Sequence, residues 1–138
     1  MRRFLAFIVT SWFLIAPSVA GPVCAPKILA GQYIFLGRGF IEPLAPAVQR
    51  VHSGIYVFDG VANVLGKETS SRGGNVTREQ KLTGTYTLNA DCTGSMTMIS
   101  LFDPKLRTHY DIFVTDDGRK ANMIRTDPGS MAVRTIER

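Results

Sequence analysis

Residues 84–94, GTYTLNADCTG, end a strand on an Asn/Asp turn and carry the second of only two cysteines in a chain of 138 residues. Leu82, Gly84, Tyr86 and Leu88 fall on one face, and Lys81, Thr83, Thr85 and Thr87 on the other. This is the two-residue period of a strand buried on one side. It puts Cys92 at the mouth of a tight hairpin whose second arm resumes at Ser95.

The same signature repeats outward in both directions. Upstream, QYIFLGRGFI at 32–41 reads as a first strand with Tyr33 and Phe35 on one face, and Gly37 and Gly39 on that face mark a bend or a close backbone crossing. Pro43 and Pro46 forbid a regular helix, so 42–49 reads as an irregular crossover. RVHSGIYVF at 50–58 places His52, Gly54, Tyr56 and Phe58 on one face. Asp59-Gly60 then supplies a hairpin signal, with 61–69 as partner strand. SSRGGN at 70–75 reads as a flexible loop.

Downstream, 76–89 pairs with 95–102, and Asp103-Pro104 interrupts the pattern. Strands at 108–115, 119–125 and 131–137 follow, separated by DDG and DPG turns. Eight short, evenly spaced strands with no long amphipathic helix predict an all-β chain, an antiparallel up-and-down barrel. A two-sheet β-sandwich is the alternative with the same local signature.

The N-terminus addresses the compartment. Arg2 and Arg3 precede an apolar run over 4–16, and Ser18-Val19-Ala20 offers small residues at a cleavage site. Residues 1–20 therefore read as a signal peptide, leaving 21–138 as a single domain exported to the periplasm or the extracellular space. The apolar run is too short, and broken too soon at Pro17, to span a bilayer. Val23, bulky beside Cys24, argues against a lipid anchor. In an oxidising compartment Cys24 and Cys92 are expected to form a disulfide, worth about 4 kcal/mol on chain entropy alone.

The chain carries 16 Lys/Arg against 11 Asp/Glu, a formal charge of +5, and loss of Arg2 and Arg3 would leave +3. That mild balance, with no aromatics interleaved in the basic stretch 67–81, gives no reason to expect nucleic-acid binding.

Motifs for chemistry are sparse. His109 and Asp111 share a face and would need His52 beside them to form an acid/base or metal cluster. Tyr110, Ile112 and Val114 form the more apolar face of that strand and claim the interior, which sends His109 and Asp111 to the solvated wall. There is no G-x-S-x-G elbow, and Gly73-Gly74 lies outside any phosphate-binding context. Asp116 and Asp117 lack the spacing of a calcium loop. No catalytic residue, metal ligand or cofactor is expected.

What remains is an interior set: Tyr33, Phe35, Tyr56, Phe58, Tyr86, Met96, Met98 and Tyr110, with Arg38 and Arg125 as candidate charged members. Four inward tyrosines need partners or a wet cavity for their hydroxyls. An eight-stranded barrel has room for one small ligand or for packed side chains.

The runs FDG at 58–60, GTYTLNADCTG at 84–94 and RTDPG at 125–129 resemble a family of small, mostly uncharacterised secreted bacterial proteins, whose barrels are similar to the allene oxide cyclase and calycin type. The resemblance covers about residues 30–138 and implies a barrel; the cyclase family's functional residues find no match here. The leading expectation is a secreted, non-catalytic barrel that binds a small apolar or aromatic molecule through the interior set. A packed scaffold acting through loops 42–49 and 70–75, and a cofactor-free isomerase or cyclase, are the alternatives. The oligomeric state is not indicated by the sequence.

Overall fold

The computed structural model describes residues 23–41 and 48–138; residues 1–20, expected to be a signal peptide, and most of the 42–49 crossover lie outside the described residues. A short 3-10 turn, Pro26–Leu29, precedes eight strands: β1 Gly31–Ile41, β2 Val48–Phe58, β3 Asn63–Arg72, β4 Asn75–Leu88, β5 Thr93–Ser100, β6 Arg107–Val114, β7 Lys120–Arg125 and β8 Ser130–Glu137. Each pairs antiparallel with the next, and β8 returns to β1 from Ile34↔Glu137 to Ile41↔Ser130, closing the barrel. Closure decides against the sandwich, since every strand has two neighbours and no edge is left unpaired.

Alternation places the interior. Tyr33 and Phe35 from β1, Tyr56 and Phe58 from β2, Tyr86 from β4, Met96 and Met98 from β5, and Tyr110 from β6 are all buried. Burying each such side chain is worth about 1.5–3 kcal/mol. The wall residues between them, among them Ile34, Leu36, Ile55 and Leu65, face outward and are exposed.

One end is closed by the N-terminal segment. Leu29 sits fully buried, Cys24 is bonded to Cys92, and the Cys24 amide donates to the Ala90 carbonyl at 3.1 Å. Two of the four tyrosine hydroxyls are satisfied there. Tyr33 donates to the Gly118 carbonyl and accepts from Arg138 at 2.8 Å, and Tyr86 donates to the Pro26 carbonyl at 3.1 Å.

The opposite end departs from the sequence reading. Residues 70–75 are not a loop: β3 runs through Arg72, β4 starts at Asn75, and only Gly73 and Gly74 turn the chain. Both have positive φ, 53° and 89°, the two-residue turn whose twist suits a hairpin and which Gly-Gly adopts without steric cost. The polar composition that suggested a loop belongs instead to strands lining a wet end of the barrel.

A bulge lies just above this turn. Glu68 pairs with Gln80 and Ser70 with Thr77, so β4 holds one residue more than β3 across the same span, and Glu79 adopts φ 55°. The extra residue reverses the in/out parity of β4. Asn75 and Thr77 face the interior before the bulge, whereas Gln80 and Leu82 do so after it.

Candidate ligand cavity

The interior of the closed end is a set of rings packed on one another. Phe35 stacks on Tyr56 with centroids 4.3 Å apart, and Phe58 meets Tyr33, Tyr56 and Tyr86 edge-on at 5.5, 6.2 and 5.0 Å. These contacts leave the rings facing each other, in the edge and offset geometries that their quadrupoles favour. Burial pushes the Tyr33, Tyr86 and Tyr110 hydroxyls above the ordinary tyrosine pKa.

Below the rings the interior becomes charged. Alternation along β2, inward at Phe58, Tyr56 and His52, carries on to Arg50; along β3 it runs from Val64 to Glu68 and Ser70; along β8 from Ile136 to Arg134. The three strands thus deliver His52, Glu68 and Arg134 to one buried layer. His52 finds room because β1 has glycine opposite: a Cβ on Gly37 would stand 2.1 Å from its Nε2.

The Glu68 carboxylate sits at the centre. Arg50 Nη2 donates to Oε1 at 2.5 Å, and His52 Nδ1 lies 3.2 Å from Oε2. Arg134 Nη2 stands 3.9 Å from Oε2, 3.2 Å from His52 Nδ1 and 3.4 Å from His52 Nε2. One tautomer of His52 suits both neighbours: Nδ1–H donates to Glu68, and the Nε2 lone pair accepts from Arg134. Burial holds the His52 pKa below its ordinary value, so the ring is neutral at pH 7.

The Arg134 guanidinium also lies over the rings of Phe35 and Tyr110, 4.8 Å from each centroid, and is 5.5 Å from that of Tyr56. Burial, helped by the nearby Arg50 charge, pulls its pKa down to about 9, which still leaves it a cation at neutral pH. Four buried polar atoms have no hydrogen-bond partner among the described residues: Arg134 Nε and Nη1, Arg50 Nε and the Tyr56 hydroxyl.

Arg50, Glu68 and Arg134 form the inner wall of a cavity of about 330 Å³. Ser70, Asn75, Thr77, Gln80, Ser100 and Thr108 line it with hydroxyls and amides. Leu82, Met98 and Leu106 supply its apolar share, and Arg72 adds a further cation. At about 30 Å³ per water, the space corresponds to some ten water molecules.

Of the eight residues read from the sequence as ligand-binding, Met98 alone borders this cavity; Tyr33, Phe35, Tyr56, Phe58, Tyr86, Met96 and Tyr110 belong to the buried cluster. Arg38 is exposed, because Tyr33, Phe35 and Gly37 take the inward parity of β1. Arg125 is half-buried and held by Asp127, with Nε 2.6 Å from Oδ2. His109 and Asp111 lie on the outer wall, away from the buried His52. Residue type alone does not mark Glu68 and Arg134 as interior, although counting by twos from Val64 and from Ile136 reaches both.

Comparison with family models, curated proteins and solved structures finds no match; of the expected resemblance the structure shows a closed eight-stranded antiparallel barrel, and nothing ties the chain to the allene oxide cyclase or calycin families.

Proposed function

We propose that the protein is an exported, non-catalytic binding barrel that takes one small molecule into the polar-end cavity, below the aromatic rings. The observation that carries this reading is the cavity itself. Its volume of about 330 Å³ falls at the lower end of ligand sites, which run from about 300 Å³ upward. Its wall combines a short apolar strip, Leu82, Met98 and Leu106, with polar groups that would fix an orientation. Export is supported by the leader-like N-terminus and by the Cys24–Cys92 bond, which suits an oxidising compartment.

The rigid closed half supports the same reading. Packed rings, a disulfide and the N-terminal plug hold the barrel in shape, so the wall below needs no reorganisation to admit a guest. A Ser100→Phe variant tests this by placing a ring in the cavity from a position that is buried and borders it. Calorimetric titration with small acids, amides, alcohols and phenols is expected to find a binder of the natural chain that S100F no longer takes, while the variant's melting temperature stays within a few degrees. A binder that S100F takes equally well would place the site elsewhere and end the reading.

A further inference from the structure

We infer that the cavity's ligand is a small hydrophilic oxyanion, a carboxylate on a hydroxyl-bearing body, received by Arg50 and Arg134 together. The inference rests on the cavity-binding reading above and names the chemistry that it would take.

Charge comes first. Among the described residues, Arg50, Arg72 and Arg134 face Glu68 alone around the cavity, and His52, kept neutral by burial, adds nothing at pH 7. The wall therefore carries a surplus of two positive charges. Arg134 is only 4 % exposed, so much of that surplus sits where water screens it poorly. A cationic guest would be repelled, and a neutral one would leave the surplus unanswered.

Hydrogen bonding points the same way. Among the described residues Glu68 is the one carboxylate on the wall, and it is already shared between Arg50 at 2.5 Å and His52 at 3.2 Å. Arg134 Nε and Nη1 and Arg50 Nε remain without acceptors among the described residues. Buried donors are ordinarily paired, and a guanidinium is matched best by a planar, two-oxygen anion. These donors are themselves shut off from the cavity, so they leave positive charge unanswered behind its wall, and the guest that completes the wall brings a negative charge.

The remaining lining sets the body. Ser70, Thr77, Gln80, Ser100 and Thr108 can exchange hydrogen bonds with hydroxyls, whereas the apolar strip is three residues wide. A long aliphatic tail has nowhere to go, because the space above is occupied by the stacked Phe35 and Tyr56 rings. This separates a hydroxy acid from a fatty acid.

The test uses the unmodified chain and matched probes. Glycolate, glycerate and gluconate are titrated beside their primary amides, with hexanoate and hexanamide as apolar partners, and the Met98 methyl and arginine Nε–H signals are followed by NMR. At least one hydroxy acid is expected to shift Met98 and to bind ten-fold or more tightly than its amide and than hexanoate, with affinity falling as salt rises. Arg50→Gln is expected to lose most of that preference for acid over amide, whereas Lys120→Gln, on the far side of the molecule, keeps it. Amides or hexanoate shifting Met98 as strongly as the hydroxy acids would overturn the oxyanion assignment while leaving the cavity reading intact. Silence of Met98 toward all eight probes would also overturn the assignment. The cavity reading would then fall only if the wider titration behind the S100F comparison also found no binder.

Discussion

The two ends of the barrel are built from the same strands with opposite interiors. At the closed end, β1, β2 and β4 contribute Tyr33, Phe58 and Tyr86, whose rings touch edge-on, and the two tyrosine hydroxyls reach backbone carbonyls or Arg138 at the rim. A few residues along, β2, β3 and β8 contribute Arg50, Glu68 and Arg134, which meet through charge and leave donors unpaired. The first arrangement is complete as it stands. The second is held in place by the first and leaves a space beside it, which teaches that in this barrel stability and binding are separated along the axis.

That separation makes graded predictions. The largest effect belongs to the closed end: Phe58→Ala removes the ring that three others touch, and is expected to cost about 3–5 kcal/mol, a fall of roughly 10 °C or more in melting temperature. Differential scanning calorimetry reads it directly, and a loss below about 1 kcal/mol would mean that the rings are not the structural core. Cys24→Ser with Cys92→Ser comes next, at about 2–4 kcal/mol, from release of a cross-link that spans 68 residues of sequence. Denaturant midpoints of the oxidised protein and the double variant measure the difference.

At the polar end, Ser100→Ala and Thr77→Val should each change stability by no more than about 0.5–1 kcal/mol, because both line the cavity rather than the packed layer. A loss comparable to that of F58A would erase the distinction between the ends.

Acid separates them in another way. His52 has its pKa lowered by burial, with Glu68, Arg134 and Arg50 around it. Between its ordinary value near 6.5 and its lower folded value the unfolded chain binds a proton that the native chain does not, so stability rises with pH in that window. Folding free energy should thus be at full strength above about pH 6.5 and begin to fall below it, at no more than about 1.4 kcal/mol per pH unit. His52→Gln is expected to flatten that slope. Asp127, lowered to about 2 against its burial by hydrogen bonds from His109 and Arg125, contributes in a different window: its stabilisation is present above about pH 4 and lost as pH falls toward 2. Urea titrations at half-unit pH steps resolve the two windows.

Most of the closed end was legible in the sequence, because Tyr86 and Leu88 alternate with Thr85 and Thr87 on β4, and on β1 and β2 the aromatic rings share one face while the aliphatic Ile34, Leu36, Ile55 and Val57 take the other. The polar end was not, for three physical reasons. Ser70, Ser71 and Arg72 look like a loop by composition, but they pair into β3 because a polar strand face is comfortable beside a wet cavity. The bulge near Glu79 reverses the parity of β4, and no residue pattern in 76–82 announces the reversal. Finally, Arg134 and Glu68 are charged, so a search for apolar residues at alternate positions passes over both, although the same alternation carries them inward beside Ile136 and Val64.

The central claim, that guests occupy the polar end while the aromatic half stays closed, is tested most directly by a methyl-labelled methionine spectrum recorded during a ligand titration. Met98 borders the cavity, Met96 and Met123 are buried but do not border it, and Met131 is exposed on the outer wall. Saturation with a binder is expected to move the Met98 methyl resonance strongly while Met96, Met123 and Met131 stay within a small fraction of that shift. Displacement of Met96 and Met123 as large as that of Met98 would mean that the guest enters among the rings, and would contradict the division of the barrel on which this account rests.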